Sequence, residues 1–108
     1  MNIDISFKSK FPRDILNEIK WKGGYDLSKC TIYYINRGSY NDIGVVKGEQ
    51  IIEIGKGFLI LEGIPEEKYI PYHRIVRIEY EDMVIFEKPW DIIKILGGEI
   101  NERIWNKK

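Results

Sequence analysis

The chain contains no alanine, one glutamine, one cysteine and one histidine, and its charges cancel. Each scarcity excludes something. With Cys30 as the single thiol there is neither an intrachain disulfide nor a cysteine-rich zinc site, and Lys29-Cys30-Thr31-Ile32 reads as a half-buried strand thiol. One imidazole, His73, rules out paired-histidine acid–base chemistry of the ribonuclease type. No apolar run approaches the ~20 residues that span a bilayer, and Met1-Asn2-Ile3-Asp4 does not begin a secretory signal. No membrane association is therefore expected, and a reduced, cytoplasmic compartment is. Lys and Arg number 17, as do Asp and Glu, so no global positive field draws the chain to a polyanion; such binding needs a local patch. No glycine-rich loop ends in Gly-Lys-Ser/Thr, and no serine stands in a nucleophile elbow. The lack of alanine beside abundant Ile, Lys and Glu is shared by heat-adapted proteins and AT-rich genomes.

What is present supports one domain over residues 1–108. A chain of this length buries roughly 65% of its extended surface, and 44% hydrophobic with 13% aromatic residues argues against disorder. Phe11, Ile15, Leu16 and Ile19 recur at helical spacing, with Ser9 as a cap, Pro12 in the first turn and Gly23-Gly24 as the stop after Trp21. After that the pattern turns to strands over 30–36, 50–54, 57–61, 69–80 and 83–87, parted by turn residues at 37–42, Gly55-Lys56, 63–67 and Glu81-Asp82. Segment 91–96 reads as strand or helical turn and 100–105 as a returning edge strand, with Trp90 and Trp105 as lids on the core. The expected class is α+β: one N-terminal helix packed on a small curled antiparallel sheet or open β-barrel of five or six strands.

The hexapeptide Ile70-Pro71-Tyr72-His73-Arg74-Ile75 carries the most chemistry. It sets an imidazole and a guanidinium side by side, and both donate to anionic oxygens such as phosphate. Read as one strand after Pro71, alternation puts His73 and Arg77 on a shared open face about 7 Å apart, while Arg74 starts inside and reaches the rim on its long stem. The blander reading pairs Arg74 with a carboxylate such as Asp14 and leaves His73 capping a turn. Arg37-Gly38-Ser39 offers a second fork, a close backbone approach and a hydroxyl, although by itself it is an ordinary turn. Tyr72 or Tyr40 could stack on a base, or could simply sit in the core or at its rim. No metal or cofactor is needed for this chemistry.

Four segments then line up in order: Pro12-Arg13-Asp14-Ile15-Leu16-Asn17 with Lys20-Trp21, Ile32-Tyr33-Tyr34-Ile35-Asn36-Arg37-Gly38, Gly57-Phe58-Leu59-Ile60-Leu61, and the histidine hexapeptide. Together, over about residues 11–80 with a weaker echo to 105, they resemble the small, largely archaeal family known as domain of unknown function 504, the RNA cyclic group end recognition domain. The resemblance implies RNA as partner, bound at 3′ ends carrying a cyclic phosphate, in RNA processing or repair. It implies contacts from His73, Arg74, Arg37, Arg13, Asp14, Lys20 and Trp21. Where the family has a histidine this chain has Asn36, which hydrogen-bonds but cannot exchange protons at neutral pH. A binding role is therefore favoured, with His73 and Arg74 on the phosphate, Arg37 and Arg77 as local positive charge, and Tyr72 stacking. Two other readings stand beside it. One is an enzyme that opens or closes the cyclic phosphate with His73 as acid or base; the other is an interaction module of an RNA-processing complex.

Overall fold

The computed structural model describes residues 11–36, 38 and 42–88. The Ser9 cap, Arg37, Ser39, Tyr40 and the tail segments from Trp90 onward lie outside the described residues. Helix α1 spans Pro12–Trp21, with the proline at the position where its missing N–H costs nothing. It ends where expected, before Gly23-Gly24, and Gly24 takes a left-handed φ of 94°. Ile15, Leu16 and Ile19 are fully buried, whereas Phe11, grouped with them by spacing, is 73% exposed. Phe11 is the cap residue in extended backbone, so helical periodicity does not reach it.

Among the described residues seven strands follow: β1 Cys30–Ile35, β2 Ile43–Lys47, β3 Ile51–Ile54, β4 Phe58–Leu61, β5 Lys68–Pro71, β6 Ile75–Tyr80 and β7 Met83–Glu87. All pairings are antiparallel. They form a four-stranded sheet in the order β2-β1-β6-β7 and a three-stranded sheet in the order β3-β4-β5. The expected α+β class is what the chain adopts. Its strands, however, divide into two unclosed sheets, and β2, with Gly44 interrupting its apolar run, was not anticipated.

Within the described residues the chain crosses between the sheets twice, each time through a single 3₁₀ turn. Gly48–Gln50 carries β2 of the larger sheet into β3 of the smaller, and Tyr72–Arg74 carries β5 back into β6. The core lies between the sheets and under α1. It joins Ile15, Leu16 and Ile19 to Ile32, Tyr34, Ile75 and Ile78 from the larger sheet and to Leu59, Leu61 and Ile70 from the smaller. Each fully buried aliphatic side chain contributes about 1.5–3 kcal/mol, so burial of Ile15, Leu16 and Ile19 in this shared core ties the helix to both sheets. Tyr34 also reaches across, its hydroxyl accepting from Lys68 Nζ at 3.1 Å.

A candidate phosphate site at the corner between the sheets

The histidine hexapeptide is not one strand. Pro71 ends a strand of the smaller sheet and Ile75 begins a strand of the larger, and Ile70 and Ile75 are both buried to within 1%. Pro71 offers no N–H to continue the first ladder, and the chain turns at Tyr72–Arg74. That corner turns His73 and Arg74 outward, and both are exposed. Neither the imidazole nor the guanidinium has a hydrogen-bonding or ion-paired side-chain partner among the described residues, and the expected alternative, Arg74 paired with Asp14, does not form.

The corner is held in place from three directions. The Tyr72 hydroxyl donates to the Gly55 carbonyl at the tip of the β3–β4 hairpin and lies 3.1 Å from that of Phe58. Arg13, from the first turn of α1, donates through Nε to the same Gly55 carbonyl at 3.0 Å. Lys88, just past β7, donates its ammonium to the His73 carbonyl. Burial raises the Tyr72 hydroxyl above its ordinary value, an effect the neighbouring Arg13 guanidinium partly offsets. Burial also lowers the Lys88 ammonium. Tyr72, expected to stack on a base, is therefore half-buried against the core with its polar end committed to the backbone. It positions the corner.

Arg77 is the clearest correction. The β1–β6 register shifts between Tyr33, opposite Arg77, and Tyr34, opposite Ile75. This bulge inserts Val76 and breaks the alternation on which a shared face for His73 and Arg77 rested. Arg77 is 8% exposed. Its two terminal nitrogens meet Glu79 at 2.9 Å and Glu87 at 2.8 Å, and the guanidinium stands 5.9 Å from the centre of the Tyr33 ring. Its charge is spent inside the sheet.

Strand direction brings other pieces to the corner. The β1–β6 register ends with Tyr34 opposite Ile75, so Asn36 leaves the sheet at the end where the Tyr72–Arg74 turn enters it. Antiparallel β7 ends there too, with the Lys88 N–H donating to the Val76 carbonyl at 2.9 Å. Lys88, which sequence reasoning missed, was findable by counting back from the Glu81-Asp82 turn. Lys56 sits beside Gly55 at the hairpin tip and is exposed. Lys20 lies elsewhere: two helical turns, about 10 Å, beyond Arg13 on the same side of α1, with its ammonium 5.1 Å from the centre of the Trp21 ring. Chemically, the corner presents donors with one guanidinium and one imidazole open to an anionic oxygen. No helix of the described residues is long and apolar enough to cross a membrane.

Residues 10–88 match the family described as the MJ1316 RNA cyclic group end recognition domain. A protein of Pyrobaculum aerophilum named UPF0248 is 35% identical over 69 residues, covering 64% of this chain and 86% of its own length. An Archaeoglobus fulgidus protein of the same name is 36% identical over 75 residues, covering 68% of this chain and all of its own. A Methanopyrus kandleri relative, also named UPF0248, is 36% identical over 63 residues, covering 58% of this chain and 80% of its own length. No solved structure matches the chain significantly.

Proposed function

The chain belongs to the MJ1316 RNA cyclic group end recognition domain family, and from that premise we propose that it binds RNA 3′ ends at the corner between its sheets, with a terminal cyclic phosphate as the preferred group. The observation that carries the reading is that His73 and Arg74 are adjacent, exposed and, among the described residues, without side-chain partners on a corner braced from three sides. A cyclic phosphodiester bears one charge, so its recognition depends on aimed donors more than on a strong field. Arg74 supplies a planar fork and His73 a ring N–H. Arg13, Lys88 and Arg37 add local positive charge, and Lys20 with Trp21 extends the track along α1. Tyr72 acts by holding the turn, and Arg77 takes no part.

Short labelled RNAs that differ only at the 3′ end test this. Tightest binding is expected for the 2′,3′-cyclic phosphate, then the open phosphate, then the free hydroxyl. Arg74→Ala should weaken the first by about tenfold or more, the worth of one charge-assisted hydrogen bond, while leaving the hydroxyl-ended RNA nearly unchanged. Equal affinity for all three ends would remove end recognition.

A further inference from the structure

The smaller sheet has a second surface that the corner does not use. Leu59, Leu61 and Ile70 point into the core, so their neighbours on β4 and β5 point out. Across the sheet Glu53, Ile60 and Tyr69 form one outward row. Phe58 packs edge-on against Tyr69, ring centres 6.2 Å apart. Ile52, which the register shift between Ile51 and Glu53 leaves without a strand partner, Phe58 and Tyr69 are 47%, 48% and 55% exposed, an apolar patch left open among the described residues.

Its charge is negative. Glu67 accepts a hydrogen bond from the Tyr69 hydroxyl at 3.1 Å, and Glu67 with Glu53 holds that hydroxyl above its ordinary value. Lys68, the one cation on β5, is turned away to Tyr34. We propose that this outer face of β3-β4-β5 docks a protein segment that alternates apolar and basic residues. Such a segment would lay aliphatic side chains over Ile52, Phe58 and Tyr69 and ammonium or guanidinium groups beside Glu53 and Glu67. RNA itself is disfavoured, because its phosphates would meet Glu53 and Glu67 wherever its bases met the rings. A second copy packed two-fold on this face would bring one acidic face against another, which is also unfavourable.

The probe is a short synthetic peptide alternating leucine and lysine, titrated into the isotope-labelled full chain and followed by amide and methyl NMR. Saturable shifts confined to Ile52, Glu53, Phe58, Ile60 and Tyr69 are expected, with none from a leucine–glutamate peptide. Glu53→Gln with Glu67→Gln should weaken the lysine peptide about two- to tenfold, as exposed ion pairs are worth. Four outcomes would overturn the proposal: equal binding of both peptides, shifts spread elsewhere, short RNA moving Phe58 and Tyr69, or shifts that grow with protein concentration alone.

Discussion

Two arginines three residues apart have opposite fates, one turned outward by the 3₁₀ corner and the other carried into the sheet past the bulge at Val76. Arg74 stands on the corner with its guanidinium open to solvent, while Arg77 is enclosed between Glu79 and Glu87. Removing one partner from a buried charge cluster leaves the others uncompensated, at a cost of about 3–5 kcal/mol when fully buried and less here because Glu87 is one-third exposed. Arg77→Ala should therefore lower the unfolding free energy, read by chemical denaturation, by about 2 kcal/mol or more, whereas Arg74→Ala should leave it nearly unmoved and weaken RNA-end binding. A stability loss at Arg74 and none at Arg77 would contradict both placements. Cys30 gives a second residue-level test. Burial pushes its thiol up to about 12, so the folded chain keeps the proton after the unfolded chain has lost it. Stability from this group is whole below the ordinary thiol value near 8.5 and drains away as pH rises toward 12, by about 1.4 kcal/mol per pH unit. Urea unfolding at several pH values between about 8.5 and 10.5 should show a steeper alkaline decline in the parent than in Cys30→Ala. Tyr72, raised by burial as well, contributes equally to both. Parallel slopes would mean that the thiol is not sealed in.

At the scale of elements, the two 3₁₀ corners organise the molecule, and they were the part hardest to read. Helix α1 was legible because Ile15, Leu16 and Ile19 repeat at 3.6 residues between a proline start and a glycine stop. The β3–β4 hairpin was legible from Gly55-Lys56, and Gly55 N–H does donate to the Phe58 carbonyl at 3.0 Å. The corner at Tyr72–Arg74 was not, because a 3₁₀ turn between two buried isoleucines leaves a run that still looks like a strand. The bulge at Val76 was invisible for a related reason: register is decided by the partner strand, which local alternation does not contain. The other corner rests on Gly48. A Cβ there would lie 1.8 Å from the Leu27 carbonyl oxygen, whereas one at Gly57 would meet nothing within 4 Å. Gly48→Ala must push the Gly48–Gln50 turn off the Leu27–Lys29 turn, and a loss of about 1–3 kcal/mol is expected. Gly57→Ala should be neutral or stabilising by a few tenths, about 0.4–1 kcal/mol at most. Thermal unfolding of the pair checks this, and equal midpoints would mean that the two turns do not pack as described.

For the whole molecule, the balanced composition conceals an uneven distribution. The corner gathers His73, Arg74, Arg13 and Lys88, while the outer face of the smaller sheet carries Glu53 and Glu67 beside its exposed rings. Zero net charge therefore does not forbid RNA binding, but it limits the form that binding takes. With the acidic face repelling any strand that wanders from the corner, only a few cations can neutralise phosphates at once. Counterion release from single strands gives a logarithmic salt slope of about −0.7 per phosphate contacted. Three or four contacts at the corner and along α1 then predict a slope of about −2 to −3 for the cyclic-ended RNA. Arg74→Ala should make it shallower by about 0.7. Anisotropy titrations between about 50 and 200 mM salt measure both quantities. A slope steeper than about −5 would point to a long electrostatic track across the surface, and a slope untouched by Arg74→Ala would place the phosphate somewhere other than this corner.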